Sequence, residues 1–270
     1  MPALAPLFLL CLFIFSNPSP SASFMHPSHP DLMTGQTLAG LDIRITAPMQ
    51  RLQDFKLIAF DMDSTLISIE CVDEIADMVG RKAEVSAITE AAMRGEITDY
   101  KESLRQRVAL LKGVSVAQLE AVADERMQLN PGAAELVAAC QQAGMKTLLV
   151  SGGFTFFANR VQQLLGLDAV HANELEIDPA SQQLTGRMVN QPWGDICDGE
   201  EKRRKLLKTC LEMGISPTQA IAVGDGANDL PMMGAAGLSV AFHAKPAVRA
   251  QAMVAINEGG LDRLLEIFAA

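Results

Sequence analysis

The sequence predicts an α/β fold, with a Rossmann-like parallel sheet flanked by helices on both faces. Short apolar runs of strand length alternate along the chain with longer stretches of helical periodicity, the pattern of parallel βαβ units. Acidic and small polar residues directly follow several of these runs. Because open α/β sheets bind ligands beyond the carboxyl ends of their strands, we expect the chemistry of the protein at these points.

Four apolar runs are candidates for buried parallel strands, in which both faces are covered and hydrophobic residues are continuous. The first is Leu57–Phe60, which ends in acidic residues. The other three are Thr147–Val150, Ala220–Val223 and Leu238–Ala241. Helical patterns lie between and after these strands at Ala133–Gln142, Phe157–Leu165, Glu200–Met213 and Leu261–Phe268.

One segment interrupts the alternation of strands and helices. Residues 69–128 contain amphipathic helical patterns but no convincing strand, which predicts a helical cap inserted after the first strand. The predicted organisation is a core formed by residues 51–68 and 129–270, covered by this cap. Within the core, the turn-forming residues in Leu175–Met188 predict a hairpin.

Residues 1–50 are expected to form a poorly ordered leader. The apolar run Leu7–Phe15 resembles part of an export signal, but a bilayer span needs about 20 apolar residues. No Lys or Arg precedes Arg44, so the positive segment of a signal peptide is missing. We favour a leader that is non-functional or upstream of the true start, with Met25 and Met33 as alternative first residues, over a weak export signal or a short anchor.

The composition limits the class of partner. The 270 residues carry a formal net charge of −10 at pH 7, which argues against nucleic acid, whose phosphates require clustered Lys and Arg. An anionic substrate would therefore need local cations. The five cysteines form no C-x-x-C pair, which favours free thiols in a reducing compartment. His26 and His29 have no Cys or carboxylate at metal-ligand spacing.

Two acidic motifs follow predicted strands. Asp61 and Asp63 lie in DMDST, and Asp225 and Asp229 lie in GDGAND. Carboxylates crowded at buried strand ends resist ionisation unless a cation or a shared proton compensates. Hard oxygen ligands from two strand ends suit Mg²⁺, which combines a few carboxylates with substrate phosphate. The alternative, that these acids only cap turns, is weaker for two motifs than for one. GDGAND lacks the third glycine of a dinucleotide-binding motif.

Two further features would complete a phosphate site. Ser151-Gly152-Gly153 follows a predicted strand and precedes a helix, where a hydroxyl and N–H groups can hold an anion. The same tripeptide is also common in ordinary turns. Lys202 lies at the start of a predicted helix and could bring an ammonium group to phosphate and carboxylate. Its neighbours Arg203, Arg204 and Lys205 are expected on a solvated face.

DMDST, SGG, the lysine and GDGAND occur in the order of the four motifs of the haloacid dehalogenase superfamily, which the chain resembles. The predicted helical cap lies at that superfamily's cap position. More narrowly, the chain resembles the phosphatases that act on phosphoserine. It has D-x-D-S-T-x-x-x-x-E ending at Glu70, SLRQRV at residues 103–108, and SGGF, GDGANDLPM and AFHAKP. The resemblance runs from about Lys56 to the C-terminus.

The resemblance implies Mg²⁺-dependent hydrolysis of a phosphate monoester in two steps. Asp61 would be the nucleophile that forms an aspartyl-phosphate, and Asp63 would protonate the leaving oxygen and then activate water. Mg²⁺ would be held by Asp61, Asp225 and the main-chain carbonyl of Asp63. Supporting contacts would come from Asp229 and Thr65. The phosphoryl oxygens would be bound by Ser151, Gly152, Lys202 and Asn228.

The same resemblance implies that selectivity lies in the cap. Glu70 would bind the ammonium of phosphoserine, and Arg107 would bind its carboxylate through a bidentate fork. Arg105 competes for the second role, but on a helix it points about 200° away from Arg107. The family pattern favours Arg107. Met93 and Phe154 are candidates either for the pocket or for the core.

The expected activity is therefore conversion of O-phospho-L-serine to L-serine and phosphate, the last step of serine biosynthesis. The expected location is the cytoplasm, with no nucleic-acid partner and no stable membrane span. A phosphotransferase that passes the phosphoryl group from phosphoserine to another hydroxyl would share every motif. A non-catalytic receiver module also carries a phosphorylatable Asp, but Asp63 and the cap argue against it.

Overall fold

The computed structural model describes residues 39–44, 51–93, 96–194 and 196–268. Among these residues, a hairpin is formed by Leu175–Asp178 (β5) and Gln183–Met188 (β6), as predicted. The main sheet consists of Leu41–Ile43 (β1), Leu57–Phe60 (β2), Lys146–Phe154 (β3), Ala169–Asn173 (β4), Ala220–Gly224 (β7), Leu238–Phe242 (β8) and Val254–Ile256 (β9). Its order is β1-β9-β8-β7-β2-β3-β4, and only the β1–β9 pair is antiparallel. The predicted α/β fold is confirmed.

Helices cover the sheet and fill the segment between β2 and β3. The α-helices of the described residues are Cys71–Met78 (α1), Lys82–Met93 (α2), Tyr100–Ala109 (α3), Val116–Glu125 (α4), Ala133–Gln142 (α5), Thr155–Leu165 (α6), Gly199–Met213 (α7), Leu230–Ala235 (α8) and Pro246–Arg249 (α9). Three predicted helices correspond to α5, α6 and α7. The fourth, Leu261–Phe268, is instead a 3₁₀ helix over Leu261–Ile267.

β2 is an interior strand of the sheet, between β7 and β3, and both of its faces are covered. Its four residues are fully buried. Leu57 and Ala59 pack into the hydrophobic cluster on one face, and Ile58 and Phe60 pack into the cluster on the other. A strand covered in this way carries no polar positions, which is why the run LIAF has no alternation.

Three strands escaped the sequence analysis. β4 contains the polar residues His171 and Asn173, and β9 has only three residues, so neither forms a recognisable apolar run. β1 lies inside the stretch expected to be an unstructured leader. Its backbone pairs with β9, with Leu41 opposite Ile256, so this part of residues 1–50 is a strand. The signal-like run, the alternative starts and the two early histidines lie outside the described residues.

The helices α1–α4 are here called the helical insert. The two chain segments that connect the insert to the rest of the protein lie side by side. The Ser68 N–H donates to the Gln128 carbonyl, and the Asn130 N–H donates to the Leu66 carbonyl, each at 2.9 Å. The β5–β6 hairpin also contacts the insert, because the Gly113 N–H donates to the Leu184 carbonyl at 2.9 Å. The division at residues 69–128 into cap and core stays a prediction.

Two expectations from composition concern cysteine and membranes. Four cysteines, Cys71, Cys140, Cys197 and Cys210, are buried free thiols, while Cys11 lies outside the described residues. Burial keeps such thiols protonated and raises the pKa of Cys140 to about 12. None of the helices in the described ranges has the length and apolar content that a membrane crossing requires.

Candidate active site

The carboxyl ends of β2 and β7 bring the two acidic motifs together. The strands are parallel neighbours, with Phe60 opposite Val223. The Asp61 N–H extends this pairing by donating to the Val223 carbonyl at 2.9 Å, and β7 leads through its last residue into Asp225. The strand pairing therefore places both motifs at one edge of the sheet, as the sequence predicts.

The ammonium of Lys202 contacts one carboxylate of each acidic motif. It lies in the first turn of α7 and is 0% exposed. Its Nζ lies 2.7 Å from Asp61 Oδ1 and 2.7 Å from Asp229 Oδ1. Burial lowers the pKa of Lys202, but the carboxylates of Asp229 and Asp61 outweigh burial, and the net pKa is well above the usual value. Of the three neighbours expected on a solvated face, Arg203 and Arg204 are exposed and Lys205 is half-buried.

Asp229 organises the loop after β7. Its Oδ2 accepts hydrogen bonds from the N–H groups of Asp225 at 3.2 Å and Gly226 at 3.0 Å. A Cβ at Gly224 would lie 2.4 Å from Asp229 Cγ, so only glycine allows this approach. Thr65 Oγ1 donates to Asp225 Oδ1 at 3.1 Å. The residues expected to give supporting contacts, Asp229 and Thr65, both contact site residues.

The carboxylates of Asp61, Asp225 and Asp229 form an acidic cluster, with one oxygen of each within 4.8 Å of the others. Burial raises the pKa of Asp61 well above its usual value, Asp229 adds to this, and Lys202 opposes it. Burial and Asp229 raise the pKa of Asp225 to about 7. One ammonium does not compensate three carboxylates, so this set of hard oxygen donors suits a divalent cation.

Asp63 differs from Asp61 in its surroundings. Its Oδ1 is buried, and no described residue gives it a hydrogen-bond partner. Burial, with a smaller effect from the Glu70 carboxylate, raises the pKa of Asp63 to about 7. The next residue, Ser64, has a φ of 55°, a conformation that L-residues rarely adopt. Its Oγ donates to Glu70 Oε1 at 2.6 Å, which ties Glu70 to the DMDST turn.

The Ser-Gly-Gly segment ends β3 beside this turn. Ser151 is buried, and its Oγ accepts a hydrogen bond from the Gly153 N–H at 2.8 Å. Its own hydroxyl proton is left to donate to a ligand. Asn173, at the end of β4, donates to the Gly152 carbonyl at 2.7 Å and accepts from the Cys197 N–H at 2.8 Å. Through these two hydrogen bonds, Asn173 holds the Ser-Gly-Gly segment in place.

A cavity of about 500 Å³ opens above these groups. Its floor includes Asp61, Asp63, Asp225, Asn228 and the Ser-Gly-Gly segment, and its opposite wall comes from the helical insert. The residues of that wall include Glu70, Thr89, Tyr100, Ser103, Leu104 and Arg107. Residues from both sides thus face one space large enough for a small phosphate ester.

The two candidate arginines separate as helical geometry requires. Arg107 is half-buried, lines the cavity, and its Nε donates to the Ser103 carbonyl at 3.4 Å. Arg105 is exposed and lies 3.7 Å from Glu102. Phe154 both lines the cavity and belongs to the hydrophobic core. The side chain of Met93 lies outside the described residues.

Sequence reasoning missed Asn173, Tyr100 and Lys245. Asn173 ends a strand that was not recognised. Lys245 lies in the AFHAKP motif, which the sequence analysis quoted without giving it a role; it also follows the predicted strand Leu238–Ala241, so the rule that strand ends carry site residues would have found it. Tyr100 is the only tyrosine of the chain; a Cβ at Gly152 would lie 2.2 Å from its hydroxyl oxygen. No sequence pattern indicates this contact.

Comparison with known proteins places these observations in a family. Residues 58–234 match the model of the haloacid dehalogenase-like hydrolases. A phosphoserine phosphatase of Polaromonas sp. is 72% identical over 228 residues, which cover 84% of this chain and 96% of that protein. A phosphoserine phosphatase of Idiomarina loihiensis is 53% identical over 209 residues, covering 77% of this chain and 91% of its own.

Solved structures agree with the sequence comparison. A phosphoserine phosphatase carrying a phospho-aspartyl intermediate analogue superimposes with a TM-score of 0.72 at 37% identity, covering 80% of this chain and 99% of its own. A substrate-bound phosphoserine phosphatase also gives a TM-score of 0.72, at 36% identity, with the same coverage.

Proposed function

The chain belongs to the haloacid dehalogenase-like hydrolase family, and we propose that it hydrolyses O-phospho-L-serine to L-serine and phosphate with Mg²⁺ as cofactor. One observation carries the proposal. Asp61, which contacts Lys202, and Asp225 line the same cavity as Glu70 and Arg107. The two regions offer groups of opposite charge for every charged part of phosphoserine.

Mg²⁺ fits the acidic cluster on the chemistry of its donors. Asp61 and Asp225, with the main-chain carbonyl of Asp63, would hold the ion, and Asp229 lies near enough to join or support them. When bound, the ion neutralises charge on the phosphoryl group during transfer. The raised pKa values of Asp61 and Asp225 support this assignment, because a cation would allow both carboxyl groups to ionise.

Asp61 is the proposed nucleophile. Lys202 Nζ and the Met62 N–H both contact its Oδ1 at 2.7 Å, while no donor within the described ranges contacts Oδ2. In the first step Oδ2 bonds to phosphorus, and the bond from phosphorus to the serine oxygen breaks. In the second step a water oxygen bonds to phosphorus and Asp61 is released. Two displacements thus replace one harder displacement.

Asp63 is the proposed acid and base. A pKa of about 7 keeps a large fraction of Asp63 protonated at neutral pH, so it can give its proton to the leaving serine oxygen. The carboxylate formed in this way then takes a proton from the attacking water. Burial produces this property, because it disfavours the charged form of Asp63 more than the hydrogen bonds from Cys71 and the Lys202 ammonium favour it.

The remaining groups bind the substrate. Ser151, Gly152, Lys202 and Asn228 are proposed to hold the phosphoryl oxygens. Glu70 is proposed to bind the substrate ammonium, because it lines the cavity and carries one hydrogen bond from Ser64. Arg107 is proposed to bind the substrate carboxylate. Among the described residues its one hydrogen bond, from Nε to the Ser103 carbonyl, is long at 3.4 Å, which leaves other guanidinium donors for a ligand.

The test is phosphate release from O-phospho-L-serine and from an aryl phosphate, each with and without Mg²⁺. We expect Mg²⁺-dependent release with strong preference for phosphoserine. Release only from the aryl phosphate would retain the phosphatase and contradict the substrate. Release from neither ester would contradict the function. Adding homoserine separates the alternative phosphotransferase, which would form phosphohomoserine in place of free phosphate.

We also propose a cytoplasmic location. The buried free thiols suit a reducing compartment, and the synthesis of serine supplies protein synthesis in that compartment. The proposed partner is the small-molecule substrate. Fractionation of cells that express the full chain tests this location, and recovery of a shortened protein outside the cytoplasm would contradict it.

A further inference from the structure

We infer that Lys245 captures the phosphate group of the substrate at the mouth of the cavity and sets the affinity for anions there, without a part in the chemical step. This inference rests on the proposed function in that the cavity must bind a phosphate ester. Lys245 lies in the segment after β8 and immediately precedes α9. Its side chain is exposed and lines the same cavity as Asp61 and Asn228.

The topology of the sheet places Lys245 on the phosphate side of the cavity. β8 is the parallel neighbour of β7, with Ala241 opposite Gly224. The segments that follow the two strands therefore leave the sheet at the same edge. Lys245 accordingly lines the cavity together with the loop Gly226–Asn228, whereas Arg107 reaches it from α3 in the helical insert.

The charges of the cavity give Lys245 its importance. The acidic residues that line it are Asp61, Asp63, Glu70 and Asp225. Against these stand two lining cations, Arg107 and Lys245. The ammonium of Lys202 is already shared between two carboxylates. Even with Mg²⁺ bound to Asp61 and Asp225, the lining charges would only balance, so in a chain with a net charge of −10 the attraction of a phosphate dianion depends on each lining cation.

Lys245 lines the phosphate side of the cavity, and its charge is not paired with that of any described residue. Among the described residues, its ammonium has no ion pair or hydrogen bond. An exposed ammonium on a flexible stem is a mobile point charge. It attracts anions over roughly 8 Å at physiological ionic strength, but it does not hold a reacting atom in a fixed position. We therefore expect Lys245 to affect the Michaelis constant and anion affinity, and to leave kcat nearly unchanged.

The test compares Lys245→Gln with Lys245→Arg and a matched control, Lys208→Gln. Lys208 is also exposed, its Nζ lies 3.8 Å from Glu212, and it does not line this cavity, so its removal changes the net charge equally. KM and kcat are measured for phosphoserine and for an aryl phosphate. Inorganic phosphate serves as a competitive inhibitor and as a direct ligand in calorimetry, at low and at high salt.

For Lys245→Gln we expect KM and the phosphate inhibition constant to rise about fivefold at low salt, with kcat within about twofold of wild type. The difference should shrink at high salt. Lys245→Arg should behave like wild type, because it keeps the charge. Lys208→Gln should change none of these values.

Three results would overturn the inference: unchanged anion affinity in Lys245→Gln, an equal loss in Lys208→Gln, or a fall in kcat with KM unchanged. The phosphate and aryl phosphate measurements do not depend on phosphoserine. If phosphoserine is not hydrolysed, the substrate proposal fails while Lys245 is still tested. If neither ester is hydrolysed, the inference about Lys245 is tested by calorimetry alone, from the affinity of inorganic phosphate for wild type, Lys245→Gln and Lys208→Gln.

Discussion

Two regions face each other across the cavity, and they are built differently. The acidic floor consists of Asp61 and Asp225, which line the cavity, together with Lys202 and Asp229 behind them. Asp61, Lys202 and Asp229 are buried and joined by short ion pairs, while Asp225 is half-buried and donates its N–H to Asp229. The insert wall consists of Glu70, Tyr100 and Arg107, which are more exposed and make few contacts within the protein. Positioning reacting atoms requires buried groups held by short contacts. Recognising the rest of a substrate requires side chains that make few contacts within the protein and so keep donors and acceptors for the ligand.

The largest expected effect comes from the proposed nucleophile of the acidic floor. Asp61→Asn should lower kcat at least about 10³-fold for phosphoserine and for an aryl phosphate alike, because no other carboxylate can take its position. Steady-state phosphate release measures this effect. Comparable circular dichroism spectra would establish that the variant is folded. Retention of more than a few per cent of wild-type activity would contradict the assignment.

Lys202 tests whether the acidic floor also stabilises the fold. Lys202→Met leaves Asp61 and Asp229 as buried carboxylates without their ammonium, so we expect a loss of about 3–5 kcal/mol in the free energy of unfolding. Activity should fall with it. Arg203→Met, at the adjacent exposed position, should change stability by no more than about 0.5 kcal/mol. Urea denaturation of both variants measures the difference, and equal stabilities would argue against a structural role for Lys202.

Arg107 tests whether selectivity lies in the insert wall. Arg107→Ala should lower kcat/KM for phosphoserine about 10- to 100-fold, the effect of removing a charge-assisted pair, and should leave the aryl phosphate nearly unaffected. Arg105→Ala on the same helix is the matched control and should change neither substrate. If Arg105→Ala reproduces the loss, or if Arg107→Ala affects both substrates equally, the assignment is wrong.

The smallest expected effect concerns the contact between the two sides. A Cβ at Gly152 would lie 2.2 Å from the Tyr100 hydroxyl oxygen, so Gly152→Ala must displace that side chain. We expect kcat/KM to fall about five- to tenfold, the cost of modest overpacking. Adding Tyr100→Phe removes the hydroxyl and should recover a part of the loss. If the double variant is no more active than Gly152→Ala, the loss arises from a change in the Ser-Gly-Gly segment and not from the contact with Tyr100.

The parts of the fold that could be predicted are those where burial leaves a simple pattern. Leu57–Phe60 is apolar because β2 is covered on both faces, and this predicted its place in the sheet and the position of Asp61. β4 was missed because His171 and Asn173 replace apolar residues. His171 is nevertheless buried through a 2.7 Å contact with Glu201, which is a tertiary interaction that no local pattern carries.

The same distinction applies to the site. The acidic motifs and Lys202 could be predicted because their residue types and order are specific to one chemistry. The helical period showed that only one of Arg105 and Arg107 could face the site, and the family pattern favoured Arg107. Tyr100 and Asn173 act through contacts with Gly152, a partner distant in sequence, and such contacts require the folded structure.

The most direct test of the central claim is to trap the phosphorylated enzyme. Wild-type protein is mixed with Mg²⁺ and phosphoserine, quenched in acid within the first turnover, and digested for mass spectrometry. We expect phosphate on the peptide that contains Asp61, and reduction with borohydride should convert that acyl phosphate to an alcohol at residue 61. Phosphate on any other residue, or no phosphorylated peptide in an actively turning-over sample, would contradict the mechanism.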